Sequence, residues 1–450
     1  MTTDTIVAIS TGMVPSAIGI MKISGKKSLA ILKKISNYKN NITPRYLKKI
    51  KIYNAKKQVI DDCLYAFMPG PNSYTGEDVI EFFCHGSLPI LKSILETCIQ
   101  YGARLATPGE FTKRAFLNGK IDLTQAESIQ ELIFAKTNLA ARLANKGVHG
   151  YISSSINNFR DKILYILSHL EASIDFPDEI NFKSDDKCLQ DIDHIIKEID
   201  KLLSRVDTGK IIQRGFSVAI VGKPNVGKST LLNQLLEEER VITSPFPGTT
   251  RDTIEAWLNI EGIPVRFIDT AGLHDTKDPI ERKGIMRTKE AIKTANMIIL
   301  LLDASEKTNN IKETLAFLFN KQSKTNVIKA WNKTDIAKPK TTIKKGELSI
   351  SAKTGKGLFD LKSKIKQLAF SDNKKINEDE LILSNQRQYQ KLIIAKKSLQ
   401  RGIEALEKSM PLECLAIDLK EAVTALGEIT GQNVSEEVID NIFKNFCVGK

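Results

Sequence analysis

The chain has 450 residues, with 66 Lys and Arg against 53 Asp and Glu and a formal net charge of +13. This length predicts about three domains, and the share of hydrophobic residues, 42%, excludes a disordered chain. The longest strongly apolar run ends at Asp303 and is far shorter than the ~20 residues that a membrane span needs. The first residues lack a signal-peptide pattern, and the six cysteines are scattered, so we expect a cytoplasmic protein with reduced thiols and no membrane association.

The positive net charge has two interpretations. It fits a partner rich in phosphate, such as RNA. Alternatively, lysine is simply the common surface residue of this protein. Lysines far outnumber arginines and are spread along the whole chain, and no single dense basic block stands out. Charge alone leaves both interpretations open.

The first part of the chain, up to about Leu117, predicts an α+β domain. Short β-rich runs between Gly, Pro and Asn turns predict strands at 5–9, 18–23 and 79–83. Residues 90–99 have helical spacing.

The pattern then becomes helical. Thr124 and Glu127 match a capping box that opens a helix. Amphipathic stretches run through Ala144 and over 156–174, and one apolar stripe continues from 189 to 206.

From Phe216 the pattern alternates strand, turn and helix, which predicts a doubly wound nucleotide-binding domain. The candidate strands are 216–221, 265–268, 297–302, 327–331 and 347–350. After about Phe370 the chain is helical again, so the α/β domain is expected to interrupt a helical domain whose halves pack together. The expected boundaries are 1–118 for the N-terminal domain, 119–213 for the first helical half, 214–370 for the inserted domain and 371–450 for the second helical half.

Residues 222–229 read Gly-Lys-Pro-Asn-Val-Gly-Lys-Ser and match the P-loop pattern between a strand and a helix. In such a loop, backbone N–H groups surround the phosphates, Lys228 reaches the β- and γ-phosphates, and the Ser229 hydroxyl binds Mg²⁺. The predicted nucleotide contacts of this loop are Asn225, Val226, Gly227, Lys228, Ser229 and Thr230.

A second motif follows the next predicted strand and reads Asp-Thr-Ala-Gly. Its aspartate is expected to hold Mg²⁺ through water, and the N–H of its glycine to sense the γ-phosphate. Thr250, in the segment 248–252 between the two motifs, is expected to be the second hydroxyl ligand of Mg²⁺. The members of the motif are Asp269, Thr270, Ala271 and Gly272.

A third motif, Asn-Lys-Thr-Asp, selects the base. The carboxylate of Asp335 accepts hydrogen bonds from the ring N–H and exocyclic amine of guanine, an arrangement that adenine does not present. The ordered set of motifs therefore predicts GTP binding. The base pocket is expected to comprise Asn332, Lys333, Asp335, Ser351, Ala352 and Lys353.

Leu273 follows the second motif, where small GTPases often have a glutamine that orients the attacking water. Either hydrolysis is slow, or another group supplies the chemistry. Asn225 favours the second alternative, because its amide oxygen could bind a monovalent cation where an arginine finger otherwise places its charge. Glu281 could reach the water, although its spacing alone favours an ordinary surface carboxylate.

Several further motifs are typical of one family. They lie at 70–78 (Gly-Pro-Asn-Ser-Tyr-Thr-Gly-Glu-Asp), 108–120, 122–127, 174–179, 248–252 and 446–450 (Phe-Cys-Val-Gly-Lys). With them the chain resembles the bacterial and organellar tRNA-modification GTPases called MnmE or TrmE, over essentially its whole length.

This resemblance implies a fold and a reaction. The fold is multidomain, with an N-terminal α+β domain similar to folate-binding domains, a discontinuous α-helical domain and an inserted Ras-like P-loop G domain. The family is a homodimer that works with an FAD- and NADH-dependent partner as a heterotetramer. Together they add an aminomethyl or carboxymethylaminomethyl group to carbon 5 of the tRNA wobble uridine, using a tetrahydrofolate one-carbon unit (a 5-formyl or 5,10-methylene derivative). GTP hydrolysis is activated by K⁺.

The resemblance also implies residue roles. It places Mg²⁺ on Ser229 and Thr250 and hydrolysis on Glu281, which reverses the preference from spacing. Its K⁺ ligands fall on Asn225, Ser244, Phe246 and Thr249, with Ser244 and Thr249 also at the nucleotide.

Folate contacts fall on Lys22, Glu81, Lys120 and Lys450. The family commonly has Arg in place of Lys22; lysine keeps the charge but lacks the planar fork that makes a bidentate contact to a folate carboxylate. Cys447 is either a nucleophilic thiol near Lys450 or a small apolar anchor of the chain's end.

Two alternatives predict different partners. A ribosome-assembly or RNA-chaperone GTPase with a related G domain would usually carry an RNA module, such as a KH domain, and no such pattern is evident. A nucleotide-driven mechanical scaffold would suit the long helices and would not bind folate.

Overall fold

The computed structural model of the chain describes residues 4–38, 41–178, 186–238, 255–269, 292, 294–306, 326–339, 344, 346–370 and 381–449. The chain divides into two compact units. The first comprises Met1–Gln130, Gly147–Asp185 and Arg401–Lys450, and the second comprises Glu131–Lys146 and Asp186–Gln400.

The first unit contains a six-stranded sheet near the start of the chain. Its strands are β1 (Ile6–Ile9), β2 (Ser16–Ser24), β3 (Lys48–Tyr53), β4 (Val59–Met68), β5 (Val79–Gly86) and β6 (Arg104–Leu105). Their order is β3-β4-β5-β2-β1-β6, and neighbouring strands are antiparallel except for the parallel pair β1 and β6. The three strands and the helix predicted here are confirmed, whereas β3, β4 and β6 were not predicted.

Two helices, α1 (Ser28–Ser36) and α2 (Leu88–Gln100), cover one face of this sheet. Side chains alternate along the strands, so every second residue faces these helices. On β5, for example, Ile80 and Phe82 are buried in the core with α1 and α2, while Glu81 between them points to the other face. The opposite face of the sheet therefore carries polar residues such as Glu81 and Lys22.

The remaining helices are α3 (Glu110–Leu117), α4 (Leu123–Phe134), α5 (Asn138–Val148), α6 (Tyr151–Asp175), α7 (Asp186–Leu203), α8 (Val206–Arg214), α9 (Lys228–Glu238), α10 (Leu358–Ala369), α11 (Gln386–Glu407), α12 (Leu412–Thr430) and α13 (Glu436–Phe443). Within the first unit, α6 packs against α12, and Lys420 forms an ion pair with Glu171 at 2.8 Å. Within the second unit, the backbone of Gly209 on α8 lies against the carbonyl of Leu383. Helices before and after the inserted sheet thus contact each other, as predicted.

The capping box of α4 lies two residues earlier than the sequence pattern suggested. The Asp122 carboxylate accepts hydrogen bonds from the backbone N–H of Thr124 and of Gln125, at 2.8 and 3.0 Å. In return, the Gln125 side chain accepts from the N–H of Asp122 at 2.9 Å. Asp122 and Gln125 therefore form the reciprocal pair, because aspartate is as good an N-cap as threonine and glutamine serves as the partner.

The apolar stripe predicted from 189 to 206 is two helices instead of one. Helix α7 ends at Leu203 and α8 begins at Val206. The Ser204 hydroxyl donates to the carbonyl of Lys201 at 2.9 Å, a local bond that competes with continuation of the helix.

The second unit contains the inserted sheet. Its strands are β7 (Phe216–Val221), β8 (Glu255–Ile260), β9 (Ile263–Asp269), β10 (Met297–Asp303), β11 (Asn326–Asn332) and β12 (Leu348–Ser349). Their order is β12-β11-β10-β7-β9-β8, and all pairs are parallel except the outer pair β8 and β9. The chain leaves β7 toward one side and returns to the other, so a topological switch point lies between β7 and β10. The doubly wound prediction is confirmed, while the antiparallel β8 was not predicted.

No helix within the described ranges is both long and apolar enough to cross a membrane.

Candidate functional site: two groups of polar residues at the sheet surfaces

The predicted nucleotide contacts lie on loops that follow the strands of the second sheet. β7 leads into the P-loop 222–229, β9 ends at Asp269, β11 ends at Asn332, and 351–353 follow β12. Because these strands are parallel, their carboxyl ends share one edge of the sheet. The fold therefore brings together motifs that are far apart in the sequence.

The P-loop is held in a curved conformation by its own lysine. The ammonium of Lys228 donates to the carbonyls of Gly222 and Lys223 at 2.8 and 3.0 Å. Asn225 adopts a left-handed backbone conformation with φ of 60°, and α9 begins at Lys228. The loop therefore ends in a helix N-terminus, whose N–H groups and dipole favour a phosphate group.

Asn332 connects the P-loop to the base-pocket loop. This side chain is only 2% exposed. Its Nδ2 donates to the Val226 carbonyl at 2.8 Å, and its Oδ1 accepts from the backbone N–H of Ala352 at 2.8 Å. The sequence assigned Asn332 to the base pocket alone and did not predict this bridge, which depends on loops more than 100 residues apart.

Gly227 is required by the same bridge. Its φ is +98°, and a Cβ at this position would lie 2.4 Å from the Nδ2 of Asn332. Any other residue would be strained and would displace the amide.

Lys333 forms an ion pair with Asp303, a residue that was not predicted to belong to the site. Its Nζ lies 2.6 Å from Oδ2 of Asp303, the last residue of β10. Burial alone would raise the pKa of Asp303, but hydrogen bonds from Lys333 and Ser305 outweigh burial and lower it. The sequence could have indicated Asp303, because it is an aspartate at the carboxyl end of a buried strand.

The base-pocket residues differ in exposure. Asp335 and Lys353 are exposed, whereas Ser351 and Ala352 are buried. The Ser351 hydroxyl accepts from the N–H of Thr354 at 3.2 Å. The Asp335 carboxylate is therefore accessible to a base, while Ser351 and Ala352 shape the loop behind it.

Part of the predicted site lies outside the described residues, and the roles of its members stay predictions. These residues are Ser244, Phe246, Thr249, Thr250, Thr270, Ala271, Gly272, Glu281 and Lys450.

Lys22 and Glu81 lie side by side on the uncovered face of the first sheet. They are directly opposite each other on β2 and β5, and Lys22 Nζ is 3.5 Å from Glu81 Oε1. Both side chains remain partly accessible, at 20% and 25%. The two residues that the resemblance assigned to folate are thus brought together by strand pairing.

The loop 70–78 adds an aromatic ring to this pair. The Tyr74 ring centroid lies 5.8 Å from Lys22 Nζ, and the Tyr74 hydroxyl is 2.9 Å from the hydroxyl of Thr112 on α3. The side-chain stem of Lys120 runs past Gly76 in the same loop. A cation, a carboxylate and an aromatic face suit a planar heterocycle with amide-like edges. Tyr74 was not singled out by sequence reasoning.

The end of the chain reaches the same sheet. The Ser10 hydroxyl, just after β1, donates to the Gly449 carbonyl at 3.2 Å, and the carbonyl of Cys447 accepts from the N–H of Gly109 at 3.2 Å. Cys447 is half-buried. The terminal motif is therefore anchored beside strand β1, next to the strand that carries Lys22.

A buried charge network holds α3 against the loop 70–78. Arg114, 3% exposed, contacts Glu77 at 3.0 Å, Glu110 at 3.0 Å and Asp4 at 2.9 Å. Burial alone would raise the pKa of Glu110, but hydrogen bonds from Arg104, the Thr107 backbone and Arg114 outweigh it and lower the pKa to about 2. This network supports the loop that carries Tyr74.

Comparison with known proteins supplies the family. A family model described as the MnmE helical domain matches residues 123–447, and a model described as the GTP-binding protein TrmE N-terminus matches residues 5–120. The chain is 42% identical over 469 residues to a tRNA modification GTPase MnmE of Thermoanaerobacter sp. (strain X514), with 100% of both chains covered. It is 41% identical over 459 residues to the MnmE of Clostridioides difficile (strain 630), with 99% of each covered.

A crystal structure of Aquifex aeolicus Era bound to GDP and AlF4⁻ is 30% identical over 40% of this chain and 66% of its own, with a TM-score of 0.29. That score is too low to support an argument. The family models and the full-length relatives carry the assignment, and the chain belongs to the MnmE/TrmE family of tRNA modification GTPases.

Proposed function

We propose that this protein is a K⁺-activated GTPase that modifies tRNA. With an FAD- and NADH-dependent partner it installs the aminomethyl or carboxymethylaminomethyl group at carbon 5 of the wobble uridine, using a tetrahydrofolate one-carbon unit. The observation that carries the proposal is the shared sheet edge on which the P-loop and the base-pocket loop are joined by Asn332. Membership of the family links this nucleotide site to tRNA.

The nucleotide site binds GTP through groups that are already oriented. Lys228, whose ammonium lies against the carbonyls of Gly222 and Lys223 at the start of the loop, reaches the β- and γ-phosphates. Asp335, exposed at the end of the base loop, accepts from guanine. Magnesium is held by the hydroxyls of Ser229 and Thr250 and, through water, by Asp269.

Hydrolysis depends on two groups that replace the missing glutamine. Asn225, exposed in the P-loop and left-handed, provides one K⁺ ligand, with Ser244, Phe246 and Thr249 as the others. The cation supplies positive charge near the phosphates. Glu281 orients the attacking water, a task that Leu273 cannot perform.

The first sheet binds the folate. Glu81 accepts from the amine and ring N–H of a pterin, as a carboxylate does with guanine. Lys22, with its ammonium 3.5 Å from that carboxylate, and Lys120 attract the negative groups of the ligand. Lys450 completes the contacts, since Gly449 beside it is bonded to Ser10.

Cys447 keeps two proposed roles. Its carbonyl bond to Gly109 suits an anchor of the terminal segment, while its partial exposure leaves the thiol able to act as a nucleophile.

The assembly is a homodimer that joins its partner as a heterotetramer in the cytoplasm. The proposed domains are 1–118 (folate-type), 119–213 and 371–450 (helical) and 214–370 (G domain). Contacts between helices on either side of the second sheet support this division.

The decisive experiment is mass spectrometry of tRNA nucleosides from a strain that lacks this gene. Loss of the modified wobble uridine is expected, with recovery by the wild-type gene and not by Lys228→Ala. Lys223→Ala is the matched control, because Lys223 is in the same loop but pairs with Glu306 at the surface, at 3.0 Å. Unchanged wobble uridines in the deletion strain would contradict the proposal.

A further inference from the structure

A segment near the start of the chain carries a large positive net charge with no acidic residue in it. Residues 5–60 contain 12 Lys and Arg and no Asp or Glu, which leaves 54 against 53 for the rest of the chain. Lysines occur throughout the chain, as expected, so the lack of acidic residues is what distinguishes this segment. A run of 56 residues with cations and no acidic residue is the electrostatic signature of a phosphate-rich partner.

Half of these cations surround the outermost strand of the first sheet. β3 is the first strand in the order β3-β4-β5-β2-β1-β6. We name this group the basic edge, and its members, all exposed, are Arg45, Lys48, Lys49, Lys51, Lys56 and Lys57.

Most of this charge is not neutralised within the protein. Lys49 pairs with Asp62 at 3.3 Å, but the lysine is 70% exposed and such pairs are weak. Within the ranges that the structure describes, Lys51, Lys56 and Lys57 have no carboxylate within ion-pair distance. These ammonium groups are available to a partner.

Two members of the basic edge, Lys49 and Lys51, share one face of the sheet with the Lys22–Glu81 pair. Lys49 and Lys51 alternate with the buried Ile50 and Ile52, so they point away from α1 and α2. Strand pairing carries this face from β3 across β4 and β5 to β2. Three strand spacings of ~4.8 Å separate β3 from β2, or about 14 Å, a distance that one RNA arm spans.

Exposed aromatic and apolar groups lie within the same segment. Tyr46 is 64% exposed and Leu47 is 56% exposed. Tyrosine beside cations is typical of surfaces that bind single-stranded RNA, where bases stack on the ring and the cations contact phosphates.

Lysines on an edge strand have another explanation, since they prevent sheets from joining edge to edge. That explanation covers Lys48, Lys49 and Lys51 on β3. It does not cover Arg45, Lys56 and Lys57, which lie in turns outside the strand, or the lack of acidic residues over 5–60.

We propose that the basic edge binds the phosphates of the tRNA arm whose uridine is brought to the Lys22–Glu81 face. This inference rests on the proposed function and adds to it the surface and the chemistry of tRNA contact. The basic edge makes electrostatic contacts that are independent of base sequence, and the neighbouring site selects the nucleotide.

The test compares two variants of the full-length protein that lose the same charge. Lys49→Gln/Lys51→Gln/Lys56→Gln removes part of the basic edge. Lys26→Gln/Lys33→Gln/Lys92→Gln removes three exposed lysines from α1, α2 and the turn before α1. The probe is an unmodified tRNA transcript with a uridine at the wobble position, and its affinity is measured by fluorescence anisotropy over a range of KCl concentrations.

We expect the first variant to bind roughly tenfold or more weakly at low salt, and the slope of log K against log[salt] to fall by about two, because each phosphate contact contributes ~0.7–0.9. The control variant should stay close to wild type, and both should hydrolyse GTP normally. Equal affinity and slope for the two variants would overturn the proposal. So would aggregation or loss of the dimer with unchanged tRNA affinity, which would assign the lysines to edge protection or to a protein interface.

If the wild-type protein binds no tRNA, both this inference and the proposed function fail. If it binds tRNA and the basic edge has no effect, only this inference fails.

Discussion

The side chain of Asn332 donates a hydrogen bond of 2.8 Å to the backbone carbonyl of Val226 in the P-loop. This bond joins the motif proposed to recognise the base to the motif proposed to recognise the phosphates. Because the amide also accepts from the N–H of Ala352, one buried residue sets the distance between the two halves of the nucleotide site.

Asn332→Ala should therefore weaken nucleotide binding without removing any direct phosphate contact. Two buried backbone groups would lose their partner, at about 1–3 kcal/mol each, and the affinity for a fluorescent GDP analogue should fall at least tenfold. Asn385→Ala, which removes a local bond to Arg387 outside this site, serves as the control. A wild-type affinity would show that the bridge is dispensable.

Asp335→Asn should change the base that is bound. An amide presents a donor where guanine's N–H groups need an acceptor, so GTP affinity should fall by roughly 100-fold or more, whereas xanthosine triphosphate, with a carbonyl at that edge, should bind better than to wild type. Competition binding with the two nucleotides measures this, with ATP as a non-binding reference. Unchanged preference for GTP would remove Asp335 from the base pocket.

Glu281→Ala should retain GTP binding and lose most hydrolysis, since general-base groups typically contribute 10²–10⁴-fold. The control is Glu237→Ala, which removes an exposed carboxylate from α9. Wild-type turnover would mean that Glu281 is an ordinary surface residue.

Hydrolysis should also be much faster in KCl than in NaCl at equal ionic strength, because Asn225 is proposed to hold the cation. Asn225→Ala should abolish the difference between the two salts. Equal wild-type rates in both salts would refute activation by K⁺.

Lys22→Ala should weaken the binding of 5-formyltetrahydrofolate by about tenfold or more, and Lys22→Arg should bind at least as tightly as wild type. The guanidinium adds a planar fork that a lysine lacks. Titration calorimetry of the full-length dimer measures both, with Lys92→Ala on α2 as the control. Equal affinities for Lys22→Ala and wild type would exclude Lys22 from the site.

Glu110→Gln should reduce the change in the free energy of unfolding as the pH is lowered. The folded-state pKa of Glu110, about 2, lies below its ordinary value of 4.5. Its carboxylate therefore stabilises the fold above pH 4.5, and this contribution is lost as the pH falls toward 2.

The variant should be less stable than wild type at pH 7, by about 3 kcal/mol or more, because Arg114 loses a buried partner. It should also lose less stability between pH 4.5 and 2 in urea unfolding followed by circular dichroism. Glu96→Gln, an exposed residue of α2, should follow the wild-type curve. Parallel curves for Glu110→Gln and wild type would contradict the assigned pKa.

The strand and helix around the P-loop were predictable because this motif is short and contiguous. Residues 222–229 require only a strand before them and a helix after them, and both are present as β7 and α9. Asp303 was not predicted as part of the site, since its role depends on Lys333 from the neighbouring strand. The capping residue of α4 was misplaced because Asp122 and Thr124 both fit the local pattern, and only hydrogen-bond geometry separates them.

The sequence by itself determined the doubly wound domain, the order of the GTP motifs and the helical segments around them, because periodicity and turn chemistry act over a few neighbouring residues. It also contained the segment 5–60, which has 12 Lys and Arg and no acidic residue. Only the tertiary structure decided that Lys22 meets Glu81 and that Gly449 meets Ser10. It likewise placed Lys49 and Lys51 of the basic edge on the face that carries Lys22, because strand order and register join residues that are distant in the chain.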